Sequence, residues 1–247
     1  MDLAYGEAYR TLWERHWWWR SRERYLRSRL DRLASNGGLG RILDVGCGDG
    51  LFFDVLAGYG EVEGLETDGS LVRDPERRDR ITVGTLETLS GERGLASFDV
   101  VLMLDVLEHI DDDRAALEDV FSLLGPGGRL VLTVPAMPWL WSRHDEVNEH
   151  RRRYTARMLR EVIESAGFEI EELRPFFAWT ILPMGLRRLL SPSGSNGRPY
   201  RVAIPPGPIN RALIRLSDWD HALSTRVRLP WGSSLYAAAK RADESTK

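Results

Sequence analysis

Apolar and polar positions along the chain follow two rhythms, and the change from one to the other predicts the elements. Short apolar runs at Ile42, Leu43 and Val45, at Val62 and Leu65, at Ile81 and Val83, and across 98–104 read as buried strands. Residues 129–134 read as a fifth strand, 168–173 as a sixth and 233–240 as a last, antiparallel one; Tyr236 and the three alanines after it fit a helix equally well. Between the runs, three-and-four spacing predicts helices. Their faces are Leu51, Phe52, Val55 and Leu56; then Leu117, Val120, Phe121 and Leu124; then Leu159, Val162, Ile163 and Ala166; and one more helix spans 209–223. Gly58, the G-P-G-G at 125–128 and Gly167 are the stops. Residues 1–35 read as helical, with Tyr9, Leu12, Trp13, His16 and Trp17 on one stripe and Leu26, Leu30 and Leu33 on another. Strands that alternate with helices predict an α/β fold.

The expected division is a helical lid over 1–36 and an α/β domain over 37–247. An insertion at 176–232 interrupts that domain: an apolar stretch at 176–190, a Ser/Gly/Pro-rich loop at 191–208, then a helix. Composition supports a large core, with 43% hydrophobic residues in a chain of 247, and the net charge of −3 offers no field for nucleic acid. His16-Trp17-Trp18-Trp19-Arg20, set among Arg10, Arg15, Arg22, Arg24, Arg27, Arg29 and Arg32, interleaves bases with aromatics as single-strand binders do. The preferred reading is an amphipathic helix that packs its tryptophans on the body and pairs its arginines with Glu7, Glu14 and Glu23. The one cysteine, Cys47, excludes a disulfide within the chain and fits a reducing cytoplasm. No leader is expected, and the apolar stretch at 175–186 is too short to cross a bilayer.

Residues 41–50, R-I-L-D-V-G-C-G-D-G, join the first strand to a glycine loop and the start of a helix, the unit that receives adenosine-type ligands. A dinucleotide fingerprint needs a third glycine three residues beyond the second, but Leu51 stands there. Glu66 closes the second strand about 20 residues beyond the glycines, the separation at which an acid meets ribose hydroxyls.

Asp44-x-Gly46-x-Gly48-x-Gly50 resembles the first motif of class I S-adenosylmethionine (SAM) methyltransferases. D-V-L-E-H-I at 105–110 resembles their fourth motif, and L-L-G-P-G-G-R-L-V-L-T-V-P at 123–135 is typical of them. The resemblance covers about residues 40–175, and the H-W-W-W-R and R-R-R-Y segments on either side resemble one bacterial branch. It implies a Rossmann-like, seven-stranded, mostly parallel sheet in the order 3-2-1-4-5-7-6, with SAM as cofactor. The implied cofactor residues are Trp19 and Arg22 on the lid, Asp44, Gly46, Cys47 and Gly48 on the loop, and Glu66, Thr85, Leu86, Glu87, Leu104, Asp105 and His109 at the strand ends. Family members often carry an Asp near position 85 to hold the adenine amino group. Thr85 stands here, so that contact passes to the Leu86 backbone or to Glu87.

In-line methyl transfer needs alignment first, and a base only for a hydroxyl, an acidic carbon or a protonated amine. His109, His144, His150 and Tyr154 are the catalytic candidates. His109 is either a base or a ring packed under the cofactor. His144, Asp145, Glu146, Glu149 and His150 include metal-ligand types but show no tight spacing, so no metal is expected. Arg151, Arg152, Arg153 and Tyr154 either clamp an anionic acceptor or form a solvated helix entrance. Trp139, Trp141, Phe176, Phe177 and Trp179 either line an acceptor pocket or belong to the core. The implied activity is methyl transfer to a small acceptor, apolar or linked to lipid or saccharide. Peripheral membrane contact and a homodimer contact are both open for the insertion. The alternatives are an NAD(P)-dependent oxidoreductase and a non-catalytic SAM-binding scaffold.

Overall fold

Helix α1 (Leu3–Arg15) and helix α2 (Trp17–Leu33) precede the sheet. They meet at His16, whose extended backbone breaks the helix and whose Nδ1 accepts the Trp18 N–H at 3.1 Å. The single helical segment expected over 1–35 is therefore two helices. The computed structural model describes residues 3–35, 37–93, 96–190, 202–227 and 229–242.

The elements then follow in order: β1 (Gly40–Val45), α3 (Phe53–Leu56), β2 (Gly60–Glu66), β3 (Ile81–Val83), α4 (Leu86–Arg93), β4 (Phe98–Leu104), α5 (Asp113–Leu123) and β5 (Leu124–Pro135). After these come α6 (Arg143–Val147), α7 (Ala156–Ser165), β6 (Phe168–Phe176), α8 (Ile181–Leu190), α9 (Gly207–Arg226) and β7 (Ser234–Arg241). The seven strands form one sheet in the order β3-β2-β1-β4-β5-β7-β6, as expected. Strands β1 to β5 pair in parallel, while β7 runs antiparallel between β5 and β6. The Tyr236 segment is thus strand and not helix.

Each face of the sheet carries its own core. Leu43, Val45, Val101 and Met103 face α5 and α7, where Leu117, Val120, Leu159 and Ile163 are fully buried. Ile42, Val100 and Leu102 face the other way, onto Tyr25, Leu26 and Leu30 of α2 and Phe53 and Leu56 of α3. Alternation therefore turns Asp44 toward α2, which decides the layout of the site. Tyr25 stacks on Phe176 with centroids 4.4 Å apart, and α9 lies alongside α2.

Three expected boundaries shift. The helix after the glycine loop is a single turn, because Gly50 and the short step into β2 leave no room for more. Strand β5 starts at Leu124, so the G-P-G-G segment belongs to the strand, entering through an irregularity between Phe98 and Val100 of β4. The loop after β5 contains α6, closed by a reciprocal capping box between Ser142 and Asp145. The expected loop at 191–208 falls largely outside the described residues, which resume at 202. Among the described residues no helix is long and apolar enough to cross a membrane.

Candidate active site

The sheet order reverses between β1 and β4, and the crevice beyond their carboxyl ends is where open α/β sheets take ligands. The glycine loop leaves β1 there. Gly46 has φ +68°, and a Cβ on it would come within 2.6 Å of Val106 Cγ2. Gly48 has φ +55°, and a Cβ there would meet nothing within 4 Å, so the loop turns a bare face to open space. Its N–H donates to Glu66 Oε2 at 2.8 Å, and Glu66 Oε1 accepts the Asp68 N–H at 2.9 Å. Glu66 is 6% exposed, and its two oxygens keep lone pairs that can accept further donors. Cys47 points away from this face: a Cβ on Gly64 of β2 would lie 2.5 Å from its Sγ. Burial pushes its thiol pKa up.

Helix α2 closes the crevice with Arg22. Its guanidinium lies 2.8 Å from Asp105 Oδ2 and donates to Thr133 Oγ1 at 2.8 Å, while the Thr133 hydroxyl donates to Asp105 Oδ1 at 2.9 Å. Asp105 is held in the left-handed region at φ +60° by its N–H bond to the Thr133 carbonyl. Burial pushes the Asp44 carboxyl up to about 7, with Arg22 opposing and Glu66 adding to the rise. Burial likewise raises Tyr9, which feels Arg22, Trp19, Asp105 and Asp44, so its phenol lies over the same groups. Trp19 meets Tyr9 edge-on at 6.0 Å. Arg10 straps the cover down, donating to Asp49 Oδ2 at 2.6 Å and Asp74 Oδ2 at 3.2 Å.

At the end of β3, Thr85 is exposed and serves as a helix cap: its N–H donates to Thr88 Oγ1 at 3.0 Å, and its hydroxyl oxygen accepts the Thr88 N–H at 3.3 Å. Leu86 is buried, Glu87 is exposed and Leu104 is half-buried at the end of β4. A separate concavity of about 310 Å³, lined by Gly60, Glu63 and Arg80 among others, opens at the amino end of β2, away from all these groups.

Past Asp105 the chain makes a 3-10 turn, Leu107–His109. The His109 ring stands at right angles to that of His150, centroids 4.8 Å apart, and His144 lies 6.0 Å from His150. The Arg151 N–H to Glu108 carbonyl bond, 2.7 Å, pins the two segments together. Asp145 is fully buried; burial pushes its carboxyl up, but the His150 hydrogen bond and the Arg153 guanidinium outweigh that and hold it well below the usual range. Ionised Asp145 can only accept, so His150 Nδ1, 2.9 Å away, is the donor between them and Nε2 is turned away from this bond. Burial lowers His109 and His144 to about 4, with His150 adding to the drop at His109, so both rings are neutral at pH 7. Glu108 is 0% exposed, and neither of its carboxylate oxygens has a hydrogen-bond partner.

Two expectations need correction. Tyr154 is 1% exposed in the core and its hydroxyl donates to Asp113 at 2.8 Å, which removes it from the proton acceptors. The three arginines beside it are more than a solvated helix entrance, because each has a partner within the chain: Arg151 with Asp111, Arg152 with Asp113, and buried Arg153 with Asp145 and the Ala136 carbonyl.

A family profile described as a methyltransferase domain matches residues 18–173, more than half of the chain and the whole stretch from the cover to β6. The chain belongs to this methyltransferase-domain family. A probable S-adenosylmethionine-dependent methyltransferase of Mycolicibacterium smegmatis is 31% identical over 165 residues, 64% of this chain and 62% of that protein. A ubiquinone biosynthesis O-methyltransferase of Xanthomonas campestris is 35% identical over 115 residues, 42% of this chain and 48% of that protein. The match thus spans between about half and under two thirds of these relatives' lengths. Among solved structures, a SAM-dependent methyltransferase from Archaeoglobus fulgidus shares the fold at TM-score 0.55 and 18% identity, covering 88% of this chain and 94% of that one. The putative methyltransferase solved with the Haloferax volcanii Trm112 activator reaches TM-score 0.60 at 16% identity, covering 98% and 96%.

For a methyltransferase-domain protein, sequence reasoning missed three groups. Tyr9 and Arg10 appeared only as members of a helix, because their partners lie on other elements: Trp19 and Arg22 on α2 for Tyr9, Asp49 and Asp74 for Arg10. Glu108 was read only as part of a motif, although a carboxylate flanked by Leu107 and His109 is an odd residue to bury.

The aromatics of the insertion divide. Phe176 and Phe177 are core, 1% and 0% exposed, and Trp18 stacks on Phe177 at 6.0 Å. Trp179 donates to Ser217 Oγ at 3.2 Å, tying the start of the insertion to α9, while Trp139 is 55% exposed beside Gly185 of α8.

Proposed function

We propose that this chain transfers the SAM methyl group to a hydroxyl of a small, apolar or lipid- or saccharide-linked acceptor. The observation that carries the reading is the bare face of Gly48, bracketed by Glu66 on one side and by Asp44, Asp105 and Arg22 on the other. These residues fit the cofactor: an acid for a ribose, carboxylates for a cation, and a guanidinium for a carboxylate. When bound, SAM supplies a methyl carbon made electrophilic by its sulfonium. Glu66 grips the sugar, Arg22 and Asp105 orient the amino-acid end, and Leu86 and Glu87 border the base. The cover of α1 and α2 excludes water. The acceptor would lie toward His109 and His150, which would activate its hydroxyl: the proton would pass to water on that side as the oxygen takes the electrophilic methyl carbon, leaving the C–S pair on sulfur.

The Xanthomonas relative, by its name, methylates oxygen in ubiquinone biosynthesis, which supports a hydroxyl on an apolar body. The exposed Leu182, Leu186 and Leu189 of α8 and Trp219 of α9 give the insertion an apolar surface that suits such an acceptor. The single free thiol suits a reducing cytoplasm.

Titration calorimetry with SAM and with NAD separates the two cofactor classes; NAD binding without SAM binding would overturn the proposal. Turnover of SAM to S-adenosylhomocysteine across a panel of phenols and lipid alcohols then separates an enzyme from a silent binder.

A further inference from the structure

We propose that Glu108, His109 and His150 form a binding site for one divalent transition-metal ion, which ligates the acceptor's oxygen. One nitrogen from each histidine and a carboxylate oxygen of Glu108 lie within 4.8 Å of one another, so a single ion reaches all three with small side-chain rotations. Glu108 supplies an independent pointer. A carboxylate with no exposure and no partner for either oxygen is expensive to keep, and a cation in contact with it removes that cost.

The surroundings are those of a built site. His150 spends Nδ1 on Asp145, leaving Nε2 to coordinate, and Asp145 is itself fixed by Arg153 at 2.7 Å and by the Ser142 N–H at 2.8 Å. A carboxylate behind a histidine sets its tautomer and raises its basicity as a ligand. The Arg151 N–H to Glu108 carbonyl bond holds the two ligand-bearing segments in register. Two imidazoles and one carboxylate favour Zn²⁺, Co²⁺, Mn²⁺ or Fe²⁺ over Mg²⁺ and Ca²⁺, which prefer oxygen. Three protein ligands leave positions open for a substrate oxygen. The acceptor class follows: a hydroxyl able to bind a metal as alkoxide or phenolate, its proton leaving to water before the oxygen attacks. This role rests on the methyl-transfer reading; the site itself does not.

The test is titration of Co²⁺ into the EDTA-treated full chain without SAM, followed by visible absorption, with Zn²⁺ as competitor. One equivalent should bind, with bands that Zn²⁺ bleaches. Glu108→Gln, which keeps the volume, and His150→Ala should each lose the bands. Asp145→Asn should weaken Co²⁺ binding by about 10- to 100-fold. The SAM affinity of Glu108→Gln should stay within about twofold of wild type, showing an intact fold. Absence of bands in the wild type, or bands that persist in Glu108→Gln and His150→Ala, overturns the site. Co²⁺ binding by a wild type that binds no SAM leaves the site standing and removes only its role.

Discussion

At the scale of single residues the site is governed by carboxylates whose surroundings differ. Glu66 combines a structural task with the proposed binding one, since it already holds the Gly48 and Asp68 N–H groups. Glu66→Ala should therefore weaken SAM binding by about 10- to 100-fold, the worth of one or two hydrogen bonds to a charged acceptor. Calorimetry giving wild-type affinity would remove the ribose assignment. Asp44 makes the opposite kind of statement. Its carboxyl, raised to about 7 chiefly by burial, is half protonated in the free protein near neutrality. A positively charged ligand favours its ionised form, so binding releases a proton below that value. SAM affinity should then fall about fivefold between pH 7 and pH 6 and level off above about 8. Asp44→Asn should flatten that profile even if it weakens binding at every pH; a slope that survives the substitution assigns the proton elsewhere.

At the scale of elements, what the sequence disclosed and what it hid follow a physical division. The runs at 42–45 and 98–104 could be read directly because strands buried on both faces have no polar alternation to disguise them. The order of the strands came from resemblance, since pairing is not written in any one segment. The start of β5 was hidden because G-P-G-G is the composition of a helix stop, and here the strand runs through it. The break at His16 was hidden because His is a weak cap signal, made effective by its Nδ1 contact with Trp18. The cover showed its apolar stripe but not its fastening, because Arg10 meets Asp49 and Asp74 only in the folded chain. That fastening is half-exposed, with the Arg10 side chain 49% accessible, so it contributes at most about 1 kcal/mol. Arg10→Ala should speed SAM dissociation by up to about fivefold in stopped-flow tryptophan fluorescence while leaving the melting temperature nearly unchanged. An unchanged off-rate would mean that α1 does not gate the crevice.

At the scale of the whole molecule, the cover, the insertion and the sheet are one packed body, and its acid sensitivity follows in part from two histidines buried where they meet. His16 joins α1 to α2, and His221 of α9 lies against Tyr25, Phe176 and Phe177. Burial lowers each to about 4 from 6.5. The unfolded chain therefore takes up protons between pH 6.5 and 4 that the folded chain refuses, and stability falls as pH falls through that window, by up to about 3 kcal/mol per histidine. Asp44 works the other way over about pH 4 to 7, since its folded form binds the proton more tightly than the unfolded chain does. His109 and His144, lowered to about 4 in the same way, act with His16 and His221, and the four rings together outweigh Asp44 and leave a net loss toward acid. His221 Nε2 is also buried without a partner, so His221→Phe keeps an aromatic ring in place while removing both the titration and the orphaned nitrogen. That variant should match or exceed wild-type stability at pH 7.5 and pull ahead of it as pH drops to 5, as read by denaturant midpoints at each pH. Parallel curves for the two proteins would mean that the ring at 221 does not resist protonation in the folded state.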